Sequence, residues 1–112
     1  MLWRADSVVA MTERAGWRTY MVEHYWPGVT EPAFRRTADR VAASADRLAQ
    51  GGAPIRFLHS TLVPADEAAY CVLAAASPDL VERAYADAGV AFERLVDAVE
   101  SGSTVDESTH RR

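Results

Sequence analysis

Several features are absent from the 112-residue sequence, and each absence narrows the functions to consider. It contains no lysine, so all 12 basic residues are arginine, and 16 acidic residues bring the net charge to -4. No basic face is available for contacts with a phosphate backbone, so we expect no nucleic-acid partner. A single cysteine, Cys71, excludes an intrachain disulfide.

Long hydrophobic runs and known catalytic motifs are also missing. No stretch reaches the roughly 18 apolar residues of a membrane span, and the first ten residues are too interrupted for a signal peptide. We therefore expect a cytoplasmic protein without a membrane partner. The sequence has no glycine-rich phosphate loop, no nucleophile elbow and no haem or flavin motif. Its arginine and alanine usage is typical of a GC-rich, actinobacterial genome.

The length suits one domain flanked by two short segments. We predict an N-terminal arm over residues 1–16, a folded domain over 17–99 and a polar tail over 100–112. The tail holds too few apolar residues to become ordered by itself. A domain of this size buries a modest core, and pairing with a second copy would enlarge it. The size therefore favours a homodimer.

Four segments have the composition of β-strands. Aromatic and β-branched residues dominate them, and proline, glycine or short polar turns bound them. The predicted strands cover residues 17–26, 55–63, 69–75 and 92–99. Only five residues separate the second strand from the third, so these two should form a hairpin.

Two segments carry helix signals at both ends. Thr30 is a suitable N-cap, the apolar residues over 34–49 recur at spacings of three and four, and Gly51-Gly52 ends the pattern. Ser77-Pro78-Asp79 opens a second helix with a cap, a proline in the first turn and an acid near the positive helix end. Gly89 closes that helix.

The resulting order, strand, helix, strand, strand, helix, strand, is the split β-α-β pattern. It predicts an α+β fold of the ferredoxin-like type, a four-stranded antiparallel sheet with both helices on one face. The other face of the sheet is left open for a partner or a ligand.

Five short motifs resemble a small actinobacterial family of nickel-binding-protein-like chains. Val22-Glu23-His24 followed by Pro27-Gly28 is similar to the opening of that family. Arg56 to Ser60 resembles its second-strand motif, and Cys71-Val72-Leu73 with Ser77-Pro78 resembles its third segment. The motifs occur in the family's order and spacing.

The resemblance runs from about Tyr20 to Val99. It implies a ferredoxin-like fold, related in shape to dimeric α/β-barrel proteins, a homodimer and a bound transition metal, nickel first. Thr61, Leu73 and Ala74 stand where the family usually has Tyr, Tyr and Glu. These replacements would weaken any site that used those polar side chains.

Strand alternation divides the sheet residues into two sets. Val22, Leu58 and Val72 are aliphatic, so their set is assigned to the helix side, and a one-residue register shift would exchange the sets. The open face is then predicted to carry Met21, Glu23, Tyr25, Ile55, Phe57, His59, Thr61, Cys71, Leu73 and Ala75.

Glu23, His59 and Cys71 are the candidate metal ligands on this predicted face. Carboxylate, imidazole and thiolate are all ligands of borderline transition metals. No closely spaced ligand motif exists, so the site depends on the fold. Each residue also has a plainer interpretation: a hydrogen bond across a dimer interface for Glu23, a backbone-bonded histidine for His59, and a small core residue for Cys71. His24 points to the opposite face and is expected to be exposed at the strand end.

A different interpretation of the same face is an enzyme resembling the dimeric α/β-barrel proteins. Glu23 or His59 would be the general base. Apolar surroundings would raise the pKa of the Glu23 carboxylate toward values useful for proton transfer, and the neutral imidazole of His59 can accept a proton. Met21, Tyr25, Phe57 and Leu73 would line a pocket for a small apolar or aromatic substrate. The reaction would be a cyclisation, an isomerisation or a cofactor-free oxygenation in secondary metabolism. A module that dimerises or senses a ligand without chemistry is a third interpretation, so the sequence leaves open whether the protein is an enzyme.

Overall fold

The computed structural model describes residues 16–101 and shows one antiparallel sheet covered by two helices. Both helices contribute to a core that also contains the inner-strand residues Tyr20, Val22 and Leu73, so they pack on one side of the sheet. The strand order is β2-β3-β1-β4. The elements are β1 (Arg18–Tyr25), α1 (Glu31–Gln50), β2 (Ile55–Val63), β3 (Ala68–Ala75), α2 (Pro78–Ala88) and β4 (Arg94–Ala98).

This architecture confirms the predicted ferredoxin-like α+β fold. Of the segments predicted to flank the domain, the arm over 1–16 and the tail over 100–112 lie outside the described residues, apart from Gly16, Glu100 and Ser101. Within the described part of the chain, neither helix combines the length and hydropathy needed to cross a membrane.

Helix α1 begins and ends where its sequence signals predict. The Thr30 side chain accepts a hydrogen bond from the Ala33 N–H at 3.3 Å, which satisfies one of the free donors of the first turn. At the other end, the Gly51 N–H donates to the Arg47 and Leu48 carbonyls. The residues that α1 buries against the sheet are Ala38, Val41, Ser44 and Ala45.

Helix α2 ends at Gly89, which adopts a left-handed conformation with φ of 71°. An L-residue is strained there, and glycine is not. Ser77 occupies the N-cap position with extended backbone, but its hydroxyl makes no capping hydrogen bond. The Arg40 side chain of α1 reaches the end of α2 and donates to the carbonyls of Ala88 at 2.6 Å and Gly89 at 3.2 Å. A guanidinium at that end of a helix complements the negative end of the helix dipole.

The pairing of β3 with β1 corrects part of the predicted face assignment. Cys71 lies opposite Val22, and Leu73 lies opposite Tyr20. Directly paired residues share a face, so Cys71, Leu73 and Ala75 point toward the helices, where at most 2% of each residue is exposed. The sequence assignment fails here because this strand is apolar on both sides, and its alternation does not identify the solvent face.

An irregularity in β2 also corrects the faces that were predicted for the residues of this strand. The register shifts between Phe57 and His59, as at a β-bulge, so one extra residue is inserted into the strand. Ile55 and Phe57 therefore lie with the helix-side core, while His59 lies opposite Val72 on the other face. The prediction placed Ile55, Phe57 and His59 on one face because it assumed an unbroken alternation.

Candidate functional site

The open face is the side of the sheet that points away from the helices. Its register rows are Thr19 with Ala74 and Ala98, Met21 with Val72 and Val96, and Glu23 with Tyr70 and Arg94, and the edge strand adds Arg56, His59 and Thr61. Val72 is 5% exposed and Ala74 is fully buried. The open face thus has an apolar centre with charged and hydrogen-bonding groups around it.

Glu23 is held by an ion pair on this face. The Arg94 Nε donates to the Glu23 Oε1 at 2.8 Å, and the two residues lie directly opposite each other on β1 and β4. The Glu23 side chain is 29% exposed and that of Arg94 is 62% exposed. The guanidinium occupies one of the two carboxylate oxygens, so Glu23 has a partner before any ligand arrives.

His59 lies next to a carboxylate that comes from the far side of the sheet. Its Nε2 is 3.7 Å from Glu100 Oε1. Glu100 follows β4, which forms the edge opposite β2, about 14 Å away across three strand spacings. After Ala98 the chain therefore turns across the open face and brings Glu100 to His59. The His59 side chain is 53% exposed and remains accessible.

The three predicted metal ligands do not meet in one chain. Glu23 and His59 lie on the open face, on strands that β3 separates, and Cys71 lies on the helix side. Among residues 16–101, no three or more His, Cys, Asp or Glu side chains are grouped closely enough to hold a metal ion.

The four predicted pocket residues are also divided between two surfaces. Met21 lies on the open face, and Tyr25 is 57% exposed at the end of β1. Phe57 packs against the helix-side core, and Leu73 is fully buried in it. They do not line a common pocket.

A buried polar cluster on the helix side was not predicted. His24 Nε2 and the Tyr85 hydroxyl are 3.0 Å apart, and the Cys71 thiol is a hydrogen-bonding neighbour of that hydroxyl. The expectation that His24 is exposed is wrong, because it is only 7% exposed. Its position two residues after the core residue Val22 was the available signal. Phe92 packs edge-on against the Tyr85 ring, with 5.2 Å between the centroids.

Burial keeps the members of this cluster uncharged. It lowers the pKa of His24, against smaller opposing effects of the Glu93 carboxylate and a hydrogen bond to the Ala91 backbone. Burial likewise raises the pKa of Cys71 and of Tyr85. A neutral imidazole, a thiol and a phenol stabilise the core, whereas a thiolate ligand would be disfavoured at this position.

A cavity of about 290 Å³ opens beside the cluster, at the end of β1. It lies between β1, α1 and the loop that follows α2. Its lining includes His24, Trp26, Thr37, Arg40, Val90 and Glu93. A cationic and an anionic side chain therefore border the same space, on a different part of the molecule from His59.

Comparisons with known proteins identify the family. The model of a family described as "Nickel responsive protein SCO4226-like" matches residues 20–97, more than two thirds of the chain. The crystal structure of SCO4226 from Streptomyces coelicolor A3(2) matches with a TM-score of 0.63 and 19% identity, covering 75% of this chain and 99% of that chain. At this identity the structural match supports the fold alone. A comparison with curated proteins found no match. The extent of the family match shows that the chain belongs to the nickel responsive SCO4226-like family.

Proposed function

We propose that this protein binds a divalent transition metal, nickel first, on the open face of a homodimer, with His59 and Glu100 as ligands. The observation that carries the proposal is the 3.7 Å approach of an imidazole nitrogen and a carboxylate oxygen. Two ligand atoms that each lie about 2.1 Å from one ion are at most about 4.2 Å apart. One ion therefore fits between these atoms without a large movement of either side chain.

The chemistry of the pair suits a borderline metal. Imidazole binds nickel, copper and zinc, and a carboxylate adds charge neutralisation. His59 is half exposed, so an ion can reach its nitrogen without unfolding the sheet. The name of the family supports nickel as the first metal to test.

Two ligands from one chain are too few for a tight site, and a second copy would supply the remainder. In a two-fold dimer each protomer presents the same patch, so His59 and Glu100 would contribute twice and give four ligands. The apolar row of Met21, Val72 and Val96 crosses the centre of the same face. Met21 and Val96 are only half-buried in one chain, so a second open face would cover further apolar surface and stabilise such a dimer.

Cys71 is not a ligand in the proposed metal site, and Glu23 is not one of its two main ligands. Cys71 is 2% exposed on the helix side, where its thiol neighbours Tyr85. Glu23 lies on the correct face, but Arg94 already neutralises it. A ligand role for Glu23 would require the ion to displace that guanidinium.

The test is calorimetric titration of the metal-free protein with Ni²⁺. We expect His59→Ala to abolish tight binding and Glu100→Gln to weaken it at least about tenfold, since loss of a ligand or of a group that orients one has effects of this order. Glu82→Gln is the matched control, because it removes one exposed carboxylate from α2 and should bind as the unaltered protein does. Undiminished binding by His59→Ala would contradict the ligand assignment.

The enzyme interpretation stays a prediction without a structural observation in its favour. Its general bases, Glu23 and His59, lie on the open face, but two of its four pocket residues, Phe57 and Leu73, belong to the helix-side core. The cytoplasmic location and the homodimer also stay predictions.

A further inference from the structure

The cavity at the end of β1 has the size of a small metabolite. Its volume is about 290 Å³, and one water occupies about 30 Å³ of liquid. A ligand of about ten non-hydrogen atoms would therefore fill it. The metal proposal makes no use of this cavity.

Arg40 is a positioned cation at the cavity. Its Nη2 donates to the carbonyls of Ala88 and Gly89, which holds the guanidinium against the end of α2. An arginine carries five N–H donors, so donors remain for a ligand. Within residues 16–101, no carboxylate lies within 4.0 Å of it in an ion pair. The guanidinium is therefore fixed in place with its charge still available to an anion.

Glu93 is a positioned anion at the same cavity. Its Oε1 accepts a hydrogen bond from the Tyr25 N–H at 2.8 Å, and its own backbone N–H donates to the Glu23 carbonyl. Among the described residues its carboxylate also has no ion-pair partner, because the neighbouring Arg94 is paired with Glu23. Two opposite charges thus border one cavity without neutralising each other.

The remaining walls offer apolar and neutral surface. Trp26 and Val90 are half-buried. His24 forms the floor, where its Nε2 hydrogen-bonds Tyr85, and burial lowers the pKa of its ring, so it presents no charge to a ligand at neutral pH. Recognition by charge would therefore come from Arg40 and Glu93 alone.

We propose that this cavity binds a small zwitterion of the α-amino acid class. Its carboxylate would pair with Arg40, its ammonium group with Glu93, and an apolar side chain would lie against Trp26. A molecule with only one of the two charges would leave either Arg40 or Glu93 unpaired. The cavity should therefore discriminate against a simple acid and a simple amine of the same shape.

The experiment compares three probes that share a phenyl group: L-phenylalanine, 3-phenylpropanoate and 2-phenylethylamine. Each is titrated into the full-length protein and followed by calorimetry and amide NMR shifts. We expect L-phenylalanine to bind at least about tenfold more tightly than either singly charged probe, since a hydrogen bond to a charged group contributes on this scale. Chemical-shift changes should concentrate around Trp26 and Val90.

Two variants test the assignment of the charges. Glu93→Gln keeps an acceptor for the Tyr25 N–H and removes the charge, so it should weaken L-phenylalanine about tenfold and leave 3-phenylpropanoate unchanged. Arg40→Gln should weaken L-phenylalanine and 3-phenylpropanoate and leave 2-phenylethylamine unchanged. Arg83→Gln and Glu82→Gln on the exposed side of α2 are the matched controls. If loss of the Arg40 contacts to α2 unfolds the protein, Glu93→Gln carries the test alone.

Three results would overturn the proposal. One is equal affinity for all three probes, which would show an apolar cavity without charge recognition. Another is unchanged affinity for L-phenylalanine in Glu93→Gln. The third is the absence of binding by any of the standard amino acids at concentrations up to about 10 mM. Nickel titration of Glu93→Gln should match that of the unaltered protein, so failure here is distinguishable from failure of the metal proposal.

Discussion

The two faces of the sheet differ in the solvent exposure of their polar side chains. On the helix side, His24 and Tyr85 are 7% and 1% exposed and hydrogen-bond each other. On the open face, His59 is half exposed and lies beside a carboxylate. Desolvation keeps the first pair neutral and makes it part of the core, whereas solvent leaves the second pair accessible to an ion. Accessibility, more than residue type, separates a structural histidine from a candidate ligand.

The largest expected contrast between the faces is in packing. Leu73 is fully buried on the helix side, while Met21 on the open face is half-buried. Leu73→Ala should lower the free energy of unfolding by about 2–5 kcal/mol, because it leaves a cavity that the neighbours cannot fill. Met21→Ala should cost less than about half as much in the monomer. Urea unfolding measures both values, and equal losses would contradict the face assignment.

A matched pair of tyrosines isolates the buried hydrogen bonds. Tyr85→Phe removes the hydroxyl that hydrogen-bonds His24 and neighbours Cys71, so it should cost about 1–3 kcal/mol. Tyr70→Phe removes a hydroxyl on the open face and should change stability by less than about 0.5 kcal/mol. Urea unfolding of the two variants should separate them clearly. A cost for Tyr70→Phe as large as that for Tyr85→Phe would remove the distinction between the faces.

Acid should destabilise the protein through the helix side. Burial lowers the folded-state pKa of His24 below its usual 6.5, so near and below that pH the unfolded chain binds a proton that the folded chain does not. The contribution of His24 to the free energy of unfolding is therefore fully present above about pH 7.5. It falls as the pH drops through 6.5 toward the folded-state pKa, by less than about 1.4 kcal/mol per pH unit. His24→Gln should flatten this slope between pH 7.5 and 5. If the free energy of unfolding of His24→Gln falls with pH as steeply as that of the unaltered protein, another group must cause the pH dependence.

The smallest expected effect concerns the ion pair on the open face. Glu23→Gln should change the free energy of unfolding by about 0.2–1 kcal/mol, because exposed ion pairs contribute little and solvent screens them. The change should shrink further in high salt. Thermal unfolding at two salt concentrations measures it. A loss above about 2 kcal/mol would show that Glu23 has a larger structural role than its pairing with Arg94 provides.

The sequence predicted the fold well because its local signals agree with one another. Thr30, Gly51 and Gly89 mark helix ends through side-chain capping or permissive backbone geometry, and these preferences are local. The order of strands and helices then leaves few topologies. The face of β1 was also predicted correctly, because the aliphatic Val22 marks the helix side and leaves Met21 and Glu23 on the open face.

The candidate site was harder to predict because it depends on register and on distant contacts. Seven of the eight residues of β3 are buried, and the strand is apolar on both faces. The alternation of its side chains therefore does not show which side faces the helices. The register shift between Phe57 and His59 involves no glycine or proline, so the sequence contains no signal for it. Tyr85 lies 61 residues from His24 along the chain, and Glu100 was assigned to the tail. Only the assembled sheet brings these residues to their partners.

Native mass spectrometry of the full-length protein with and without Ni²⁺ is the most direct test of the metal proposal. We expect a dimer that carries nickel in a ratio of one ion to two chains, because four ligands from two copies would hold one ion. His59→Ala should lose the ion, and Glu82→Gln should retain it. A monomer that binds nickel, or a dimer whose nickel survives in His59→Ala, would contradict the shared site on the open face.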